Sequence, residues 1–259
     1  MTTYESITCQ IERGVAMVTM NRTQRRNALS LDMMGEMIAC LDHLATAPDV
    51  RVVVLRAAGK VFCSGHDLSE VLEADIAGLR ALFETCSRMM ARIASHPRPV
   101  IAEVGGVATA AGCQLVAACD LAVASTEATF ATPGVRIGLF CTTPSVALSR
   151  AIGRKRAMQM LLTGESIDAQ RASDWGLVNM VVEPEVLRTE TKQLARRIAE
   201  ASPLTIAIGK RAFHAQIDVS EAAAYAHASE VMTVNALADD AREGMRAFLE
   251  KRKPSWTGR

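Results

Sequence analysis

Two segments of the chain share one order: a short apolar strand, a turn of small residues and the start of a helix. The first is RVVVLRAAGKVFCSGHDLSEV, residues 51–71, and the second is PVIAEVGGVATAAGCQLVAACD, residues 99–120. Glycine and alanine in such a turn let a helix pack closely against a sheet, which is one explanation of the pattern. They also leave the first backbone N–H groups of the helix open to a ligand, because those groups have no acceptor within the helix.

The same alternation of strands and helices continues along most of the chain. Residues 30–47 carry apolar side chains at helical spacing behind Ser30, which is a capping residue, and residues 145–162 are predicted to form one helix. After Pro184 the pattern is almost entirely helical, which predicts an α/β sheet with right-handed crossovers and a helical C-terminal region. The main predicted strands are residues 15–21, 51–55, 99–104, 121–124 and 178–182.

Composition excludes several classes of function. A formal net charge of +1 on 259 residues gives no support to a nucleic-acid-binding surface. The seven cysteines and five histidines include no Cys-x-x-Cys and no His-x-x-x-His pair, so no metal site is predicted. No apolar run approaches the roughly 20 residues of a membrane span. The N-terminal residues MTTYESITCQ lack the features of a signal peptide, and we expect a cytoplasmic protein with reduced thiols.

The two turns suggest a specific chemistry if their N–H groups point at one place. One N–H from each turn would then form an oxyanion hole, which stabilises negative charge as it grows on a carbonyl oxygen. In other enzymes, removing one such donor costs about 2.7–4 kcal/mol of transition-state stabilisation. Bulky side chains in either turn would keep the oxygen away from the amides, which explains the small residues.

Six stretches carry a resemblance to a known family. The sequence resembles the crotonase family, also called the enoyl-CoA hydratase/isomerase family, in FCSGHDL, GGVATAAGCQLVAACD, NRTQRRNALS, ATFATPGVRIGL, LLTGESIDAQRASDWGLVNMVV and EGMRAFLEKRKPSW. The resemblance implies an α/β crotonase-type spiral of β-β-α turns. It places the core and acyl-CoA site in residues 1–197, and a helical region for packing and oligomerisation in residues 198–259. It also implies a homotrimer or homohexamer that takes a coenzyme A thioester as substrate or ligand and needs no further cofactor.

The resemblance also assigns roles to particular residues. The two amides of the oxyanion hole belong to His66 and Ala111, and Ala111 stands where a glycine is common. The contacts with coenzyme A, each with an ordinary surface or helix-cap role as its alternative, fall on Gln24, Arg25, Arg26, Ser64, Asp67, Leu68 and Lys251.

The chain departs from the family at the two catalytic positions of the hydratases. Gln114 and Gly134 stand where the hydratases carry glutamates. An amide side chain cannot act as a general base at ordinary pH, and glycine has no side chain, so hydration by the two-glutamate route is not expected. Glutamates restored at both positions are expected to restore some hydration. The other side chains considered for proton transfer are those of His66 and Cys141, each with a structural alternative.

Two functions follow from this pattern. The first is an enzyme that stabilises an enolate of an acyl-CoA, as in isomerisation, decarboxylation or a retro-type cleavage. The second is a non-catalytic acyl-CoA-binding oligomer that has kept the pocket and lost the chemistry. The small-residue turns favour the first function, and the absent carboxylates favour the second.

Overall fold

Residues 4–259, which the computed structural model of the chain describes, form two β-sheets enclosed by helices. The strands are β1 (Ile7–Glu12), β2 (Val15–Met20), β3 (Val52–Ala57), β4 (Val61–Cys63), β5 (Val100–Val104), β6 (Val107–Thr109), β7 (Leu121–Ser125), β8 (Thr129–Ala131), β9 (Ile167–Asp168) and β10 (Met180–Val182). The α-helices are α1 (Leu31–Thr46), α2 (Leu68–Glu73), α3 (Ile76–Ser95), α4 (Ala111–Ala118), α5 (Thr142–Ile152), α6 (Arg154–Thr163), α7 (Ala169–Trp175), α8 (Leu187–Ala199), α9 (Pro203–Gln216), α10 (Glu221–Leu237) and α11 (Asp239–Leu249).

Consecutive strands divide between the two sheets. The larger sheet has the order β1-β2-β3-β5-β7-β10, and the smaller sheet has the order β4-β6-β8-β9. The pairs β3/β4, β5/β6 and β7/β8 each place their first strand in the larger sheet and their second in the smaller one. Helices follow each pair, so the chain repeats a β-β-α unit and stacks each new unit beside the last.

The larger sheet is covered on both faces, which explains why its central strands are continuous apolar runs rather than alternating ones. Every residue of β2 is buried, and so is every residue of β5. On one face, Leu187 and Ala195 of α8 pack against the sheet, and the main hydrophobic core lies on the other.

Local sequence signals account for several helix ends. Ser30 caps α1 by accepting a hydrogen bond from the backbone N–H of Met33, at 3.2 Å. The single helix predicted for residues 145–162 is wrong, because Gly153 interrupts it. Gly153 has φ +78°, a backbone conformation that favours glycine, and it separates α5 from α6.

The C-terminal helices are joined to the core through Lys210 of α9. Its Nζ donates to Asp120 Oδ2 at 2.6 Å and to the carbonyl of Ile93 at 3.1 Å. Asp120 also accepts the backbone N–H of Val100, so one carboxylate connects α9 to β5. Away from this contact, α9–α11 expose large apolar side chains, among them Phe213, Tyr225, Met232, Leu237 and Phe248.

None of the helices within residues 4–259 is both long enough and apolar enough to cross a membrane.

Candidate active site

The two small-residue turns lie side by side because the strands before them are neighbours. β4 and β6 are parallel, with Val61 opposite Val107 and Cys63 opposite Ala108. Parallel strands end at the same edge of a sheet, where ligands commonly bind in α/β proteins. The hydroxyl of Thr109 donates to the carbonyl of Ser64 at 3.1 Å and joins the turns directly.

Glycine is required at two points where the turns approach each other. Gly65 has φ +98°, and a Cβ added there would lie 2.9 Å from the Cβ of Ala110 and 3.5 Å from the backbone nitrogen of Ala111. A Cβ on Gly112 would collide with the carbonyl oxygen of Cys63. Close packing, one of the two explanations of this sequence pattern, is therefore present where the turns meet.

The backbone N–H groups of His66 and Ala111 have no hydrogen-bond acceptor among residues 4–259. The neighbours of His66 are paired: Leu29 donates to the Gly65 carbonyl at 2.8 Å, and Asp67 donates to the Leu29 carbonyl at 3.0 Å. At the other turn, Ala111 is the first residue of α4, where an N–H normally lacks an intrahelical acceptor.

Backbone strain accompanies the second turn. Ala110 has φ 52° and ψ −118°, a region that is unfavourable for a residue with a Cβ, whereas Ala111 has no positive φ. Ala111, where the resemblance implies that a glycine is common, is therefore not in a conformation that requires glycine. The unusual conformation lies one residue earlier, where it sets the direction of the Ala111 N–H.

His66 and Ala111 both line a cavity of about 510 Å³. Its wall is formed by the turn after β4, by α2 and α3, by the start of α4 and by the segment from Pro133 to the first turn of α5. The apolar lining residues are Leu68, Val71, Phe83, Ala110, Ala111, Pro133, Gly134, Ile137, Leu139, Phe140 and Pro144. The polar or titratable ones are Ser64, His66, Arg136, Cys141, Thr142 and Thr143.

The imidazole of His66 forms part of this wall. Its ring meets the ring of Phe83 edge to face, with the centroids 5.3 Å apart. The Nε2 atom is buried and has no hydrogen-bond partner in the part of the chain that the structure describes. Burial lowers the pKa of His66 to about 4, so the ring is neutral at physiological pH.

The two positions where the resemblance implies glutamates, Gln114 and Gly134, differ in their access to the cavity. Gln114 is buried, its Oε1 has no partner within the described chain, and it does not line the cavity. Gly134 lines the cavity, but a Cβ there would collide with the carbonyl oxygen of Leu139 and lie 2.8 Å from the sulfur of Cys141. Restoring both glutamates therefore cannot be a simple exchange of side chains, contrary to the expectation from the sequence.

Cys141 occupies space next to Gly134 on the same wall. Burial raises the pKa of its thiol, and a backbone hydrogen bond from Gly134 opposes that shift. The thiol is thus held in its protonated form. Arg136, also on this wall, has no carboxylate partner among residues 4–259, and its Nε donates to the carbonyl of Thr163 at 3.3 Å.

The residues predicted to contact coenzyme A lie in two places. The side chains of Gln24, Arg25 and Arg26 are exposed, and the carbonyl of Arg26 accepts the backbone N–H of Ser64 at 3.2 Å. This basic segment is therefore adjacent to the first turn. Lys251 is exposed beyond α11 and does not line the cavity.

Leu68 and Asp67 follow the first turn and serve different purposes. Leu68 is 49% exposed and lines the cavity. Asp67 is buried and caps α2: its Oδ1 accepts hydrogen bonds from the hydroxyl of Ser69 at 2.6 Å and from the Ser69 N–H at 3.3 Å. Its Oδ2 pairs with Arg22 at 3.1 Å. The Ser69 hydroxyl first, and Arg22 with it, hold the pKa of Asp67 below its usual range.

Replacing Asp67 with asparagine is expected to lower the free energy of unfolding by about 1–2 kcal/mol at pH 7, because the charge facing Arg22 is lost while the cap is kept. A carboxyl whose pKa is lowered by folding stabilises the protein above its unfolded pKa, near 3.9, and this contribution disappears as the pH falls below it. Urea unfolding of both proteins at pH 7 and pH 3 should show the difference shrinking at pH 3.

The matched control is Asp75→Asn, since Asp75 caps α3 through the Gly78 N–H and is exposed, with no ion pair recorded in residues 4–259. A loss as large for the control as for Asp67→Asn would contradict the role given to the Arg22 pair.

Sequence reasoning missed most of the apolar wall. Val71, Phe83, Ile137, Leu139 and Phe140 all line the cavity, and three of them belong to a segment without helical or strand periodicity. The available signal was the run of apolar residues between Pro133 and Pro144, outside any regular element of the sequence pattern. Within residues 4–259 no group of three or more potential metal ligands comes together.

Comparison with known proteins gives a consistent result. The family model described as Enoyl-CoA hydratase/isomerase matches residues 10–259. A zebrafish (Danio rerio) protein named "Enoyl-CoA hydratase domain-containing protein 3, mitochondrial" is 49% identical over 245 residues, which is 94% of this chain and 85% of that one. The crystal structure of the human enoyl Coenzyme A hydratase domain-containing protein 3 superposes with a TM-score of 0.95 at 45% identity, covering 97% of this chain and all of that one. An enoyl-CoA hydratase structure from Mycobacterium smegmatis has a TM-score of 0.94 at 46% identity, covering 97% of this chain and 99% of that one.

These comparisons correct one prediction and confirm another. The cytoplasmic location predicted from the sequence is contradicted, because the vertebrate relatives, including those of zebrafish and mouse, are named as mitochondrial. The absence of signal-peptide features was too narrow a basis for a location. The α/β spiral of β-β-α units with a helical C-terminal region is confirmed by the solved structures.

Proposed function

The chain belongs to the enoyl-CoA hydratase/isomerase family, and we propose that it binds an acyl-CoA thioester whose carbonyl oxygen rests on the amides of His66 and Ala111. One observation carries the proposal: His66 and Ala111, whose backbone N–H groups have no acceptor within residues 4–259, both line the same apolar cavity. In apolar surroundings such donors interact strongly with a developing oxyanion and need no reorganisation when charge appears.

The reaction that this site supports best is one that passes through an enolate of the thioester. Isomerisation, decarboxylation and retro-type cleavage all require that negative charge on the carbonyl oxygen be stabilised. Hydration by a pair of glutamates is not supported, since no aspartate or glutamate of residues 4–259 lines the cavity. Gln114 and Gly134 supply no carboxylate in their place.

A non-catalytic acyl-CoA-binding oligomer is the second candidate. The observation in its favour is the closed space at Gly134, where Leu139 and Cys141 fill the volume of a side chain. A wall rebuilt in this way retains room for an acyl group without the acid and base of a hydratase.

The coenzyme A part of the ligand would lie outside the acyl cavity. Arg25 and Arg26 are exposed next to the first turn, and guanidinium groups suit phosphate in charge and donor geometry. The exposed apolar residues of α9–α11 support assembly as a homotrimer or homohexamer, because patches of that kind on a soluble domain mark interaction surfaces. Lys251, which does not line the cavity of its own subunit, would then reach coenzyme A bound to a neighbouring one.

The test measures binding and carbonyl polarisation separately. Titration calorimetry compares an acyl-CoA with free coenzyme A, and the absorption band of a conjugated thioester such as cinnamoyl-CoA reports polarisation through a shift to longer wavelength. We expect tighter binding of the thioester and a red shift on binding. Binding without a red shift would contradict the oxyanion hole, and the absence of binding would contradict the proposed function altogether. A crotonyl-CoA hydration assay is expected to show no turnover beyond the uncatalysed rate.

A further inference from the structure

We propose that the imidazole of His66 is the proton-carrying group of this cavity, which takes a proton from the carbon next to the thioester carbonyl; this inference rests on the proposed function. The side chain belongs to the same residue as one of the two amide donors. A carbonyl oxygen held by that amide therefore keeps the adjacent carbon close to the ring.

Among residues 4–259, none of the other side chains that line the cavity can accept a proton from the ligand at ordinary pH. The hydroxyls of serine and threonine are not bases at ordinary pH, and the guanidinium group of Arg136 has hydrogen-bond donors but no acceptor. The thiol of Cys141 is protonated, because burial raises its pKa. His66 has a lone pair available, since burial keeps the ring neutral.

No hydrogen bond within residues 4–259 engages the imidazole of His66. Its Nε2 is enclosed by protein without a partner, its Nδ1 is not among the enclosed atoms, and its contact with Phe83 is an edge-to-face packing contact. The carboxylate of the next residue, Asp67, is engaged by Arg22 and Ser69 and so does not orient the imidazole. Polar groups in native proteins are nearly always paired, so a ring without hydrogen bonds in a residue that lines the cavity is consistent with a group that acts on the ligand through Nδ1.

The step balances within the bound pair. The imidazole lone pair accepts the proton from the α-carbon, the C–H electrons form the carbon–carbon double bond of the enolate, and the carbonyl π electrons move to the oxygen held by the two amides. The imidazolium then returns the proton to the α-carbon, which gives exchange with solvent, or delivers it to the γ-carbon of an unsaturated chain, which gives isomerisation. Burial disfavours a charged ring in the empty site, and the adjacent enolate offsets this by its opposite charge.

The experiment follows exchange of the α-hydrogens of butyryl-CoA with D₂O by mass spectrometry, so no knowledge of the natural substrate is needed. Wild-type protein is expected to catalyse exchange. His66→Gln and His66→Phe, which differ in polarity but both fill the position, are expected to bind butyryl-CoA and to lose exchange by about 100- to 10,000-fold, as for a general base. His43→Gln is the matched control, since it makes the same change at an exposed histidine that does not line the cavity, and it should retain exchange.

The pH profile separates the two titratable candidates. Arg136 and Cys141 are the other charged or titratable groups lining the cavity. With His66 as base, the exchange rate should be level from about pH 6 to pH 8, whereas a thiol base would give a tenfold rise for each pH unit. Exchange that survives in both His66 variants would overturn the inference, as would wild-type binding with a red shift and no exchange. Failure of binding itself would instead count against the proposed function.

Discussion

Replacing Ala111 with proline is expected to lower the rate of α-hydrogen exchange about 100- to 1,000-fold, corresponding to about 2.7–4 kcal/mol of lost oxyanion stabilisation. Proline removes one N–H, and its ring also restricts the backbone of Ala110, which precedes it and has a positive φ, so folding of the variant has to be checked separately. Ala111 is the first residue of α4, where proline is well tolerated because its fixed φ suits a helix and the missing N–H has no intrahelical acceptor. The red shift of bound cinnamoyl-CoA should fall with the exchange rate.

Ala111→Gly is the matched control, since it removes the methyl group and keeps the N–H. It is expected to retain the red shift and most of the exchange rate. Thermal unfolding and circular dichroism of both variants establish that α4 still forms. A proline variant that folds, binds acyl-CoA and keeps the full red shift would show that the Ala111 amide does not contact the carbonyl oxygen.

The part of the site that sequence predicts well is local. Ser30 and Asp67 cap helices as their residue types suggest, and the interaction lies within three residues along the chain. The two turns were also visible in sequence, because Gly and Ala between a strand and a helix allow close packing, and Gly adopts backbone conformations that larger residues rarely take. That the turns meet follows from β4 and β6 being parallel neighbours, and neither of these short strands was predicted from the sequence.

The parts that sequence predicts poorly depend on contacts between distant segments or on one backbone angle. The carbonyl of Leu139 folds back over Gly134, and no periodicity in residues 133–141 indicates it. The resemblance implies a catalytic position at Gln114, yet this residue is buried and does not line the cavity. The division of residues 145–162 into α5 and α6 depends on the positive φ of Gly153, and the spacing of apolar residues on either side does not reveal that angle.

The contacts of Gly134 with Leu139 and Cys141 determine whether a carboxylate could be introduced at this position. If Gly134 faced open space, a single substitution could place a carboxylate side chain there. Gly134 instead lies against a carbonyl oxygen and a sulfur, so the wall has a different shape and not merely a shorter side chain. The proposed chemistry of His66 and the two amides uses residues that line the cavity in its present shape, whereas a glutamate at position 134 would need the wall to move.

Replacing Gly134 with alanine is accordingly expected to destabilise the protein by about 3 kcal/mol, at the upper end of the usual cost of overpacking. The added methyl would meet the backbone carbonyl of Leu139 and the Cys141 sulfur, and a backbone group cannot swing aside as a flexible side chain can. For a chain of this size the loss corresponds to roughly 6–12 °C in Tm, measurable by calorimetry.

Gly35→Ala is the matched control, because Gly35 lies within α1 and a Cβ there meets nothing within 4 Å. That substitution should stabilise the protein by up to about 1 kcal/mol, since alanine has a higher helix propensity than glycine.

The double variant Gln114→Glu, Gly134→Glu should share the destabilisation of Gly134→Ala and show no crotonyl-CoA hydration. A stable double variant with measurable hydration would mean that the segment from Pro133 to Cys141 yields readily, and that the closed wall is not what separates this protein from a hydratase.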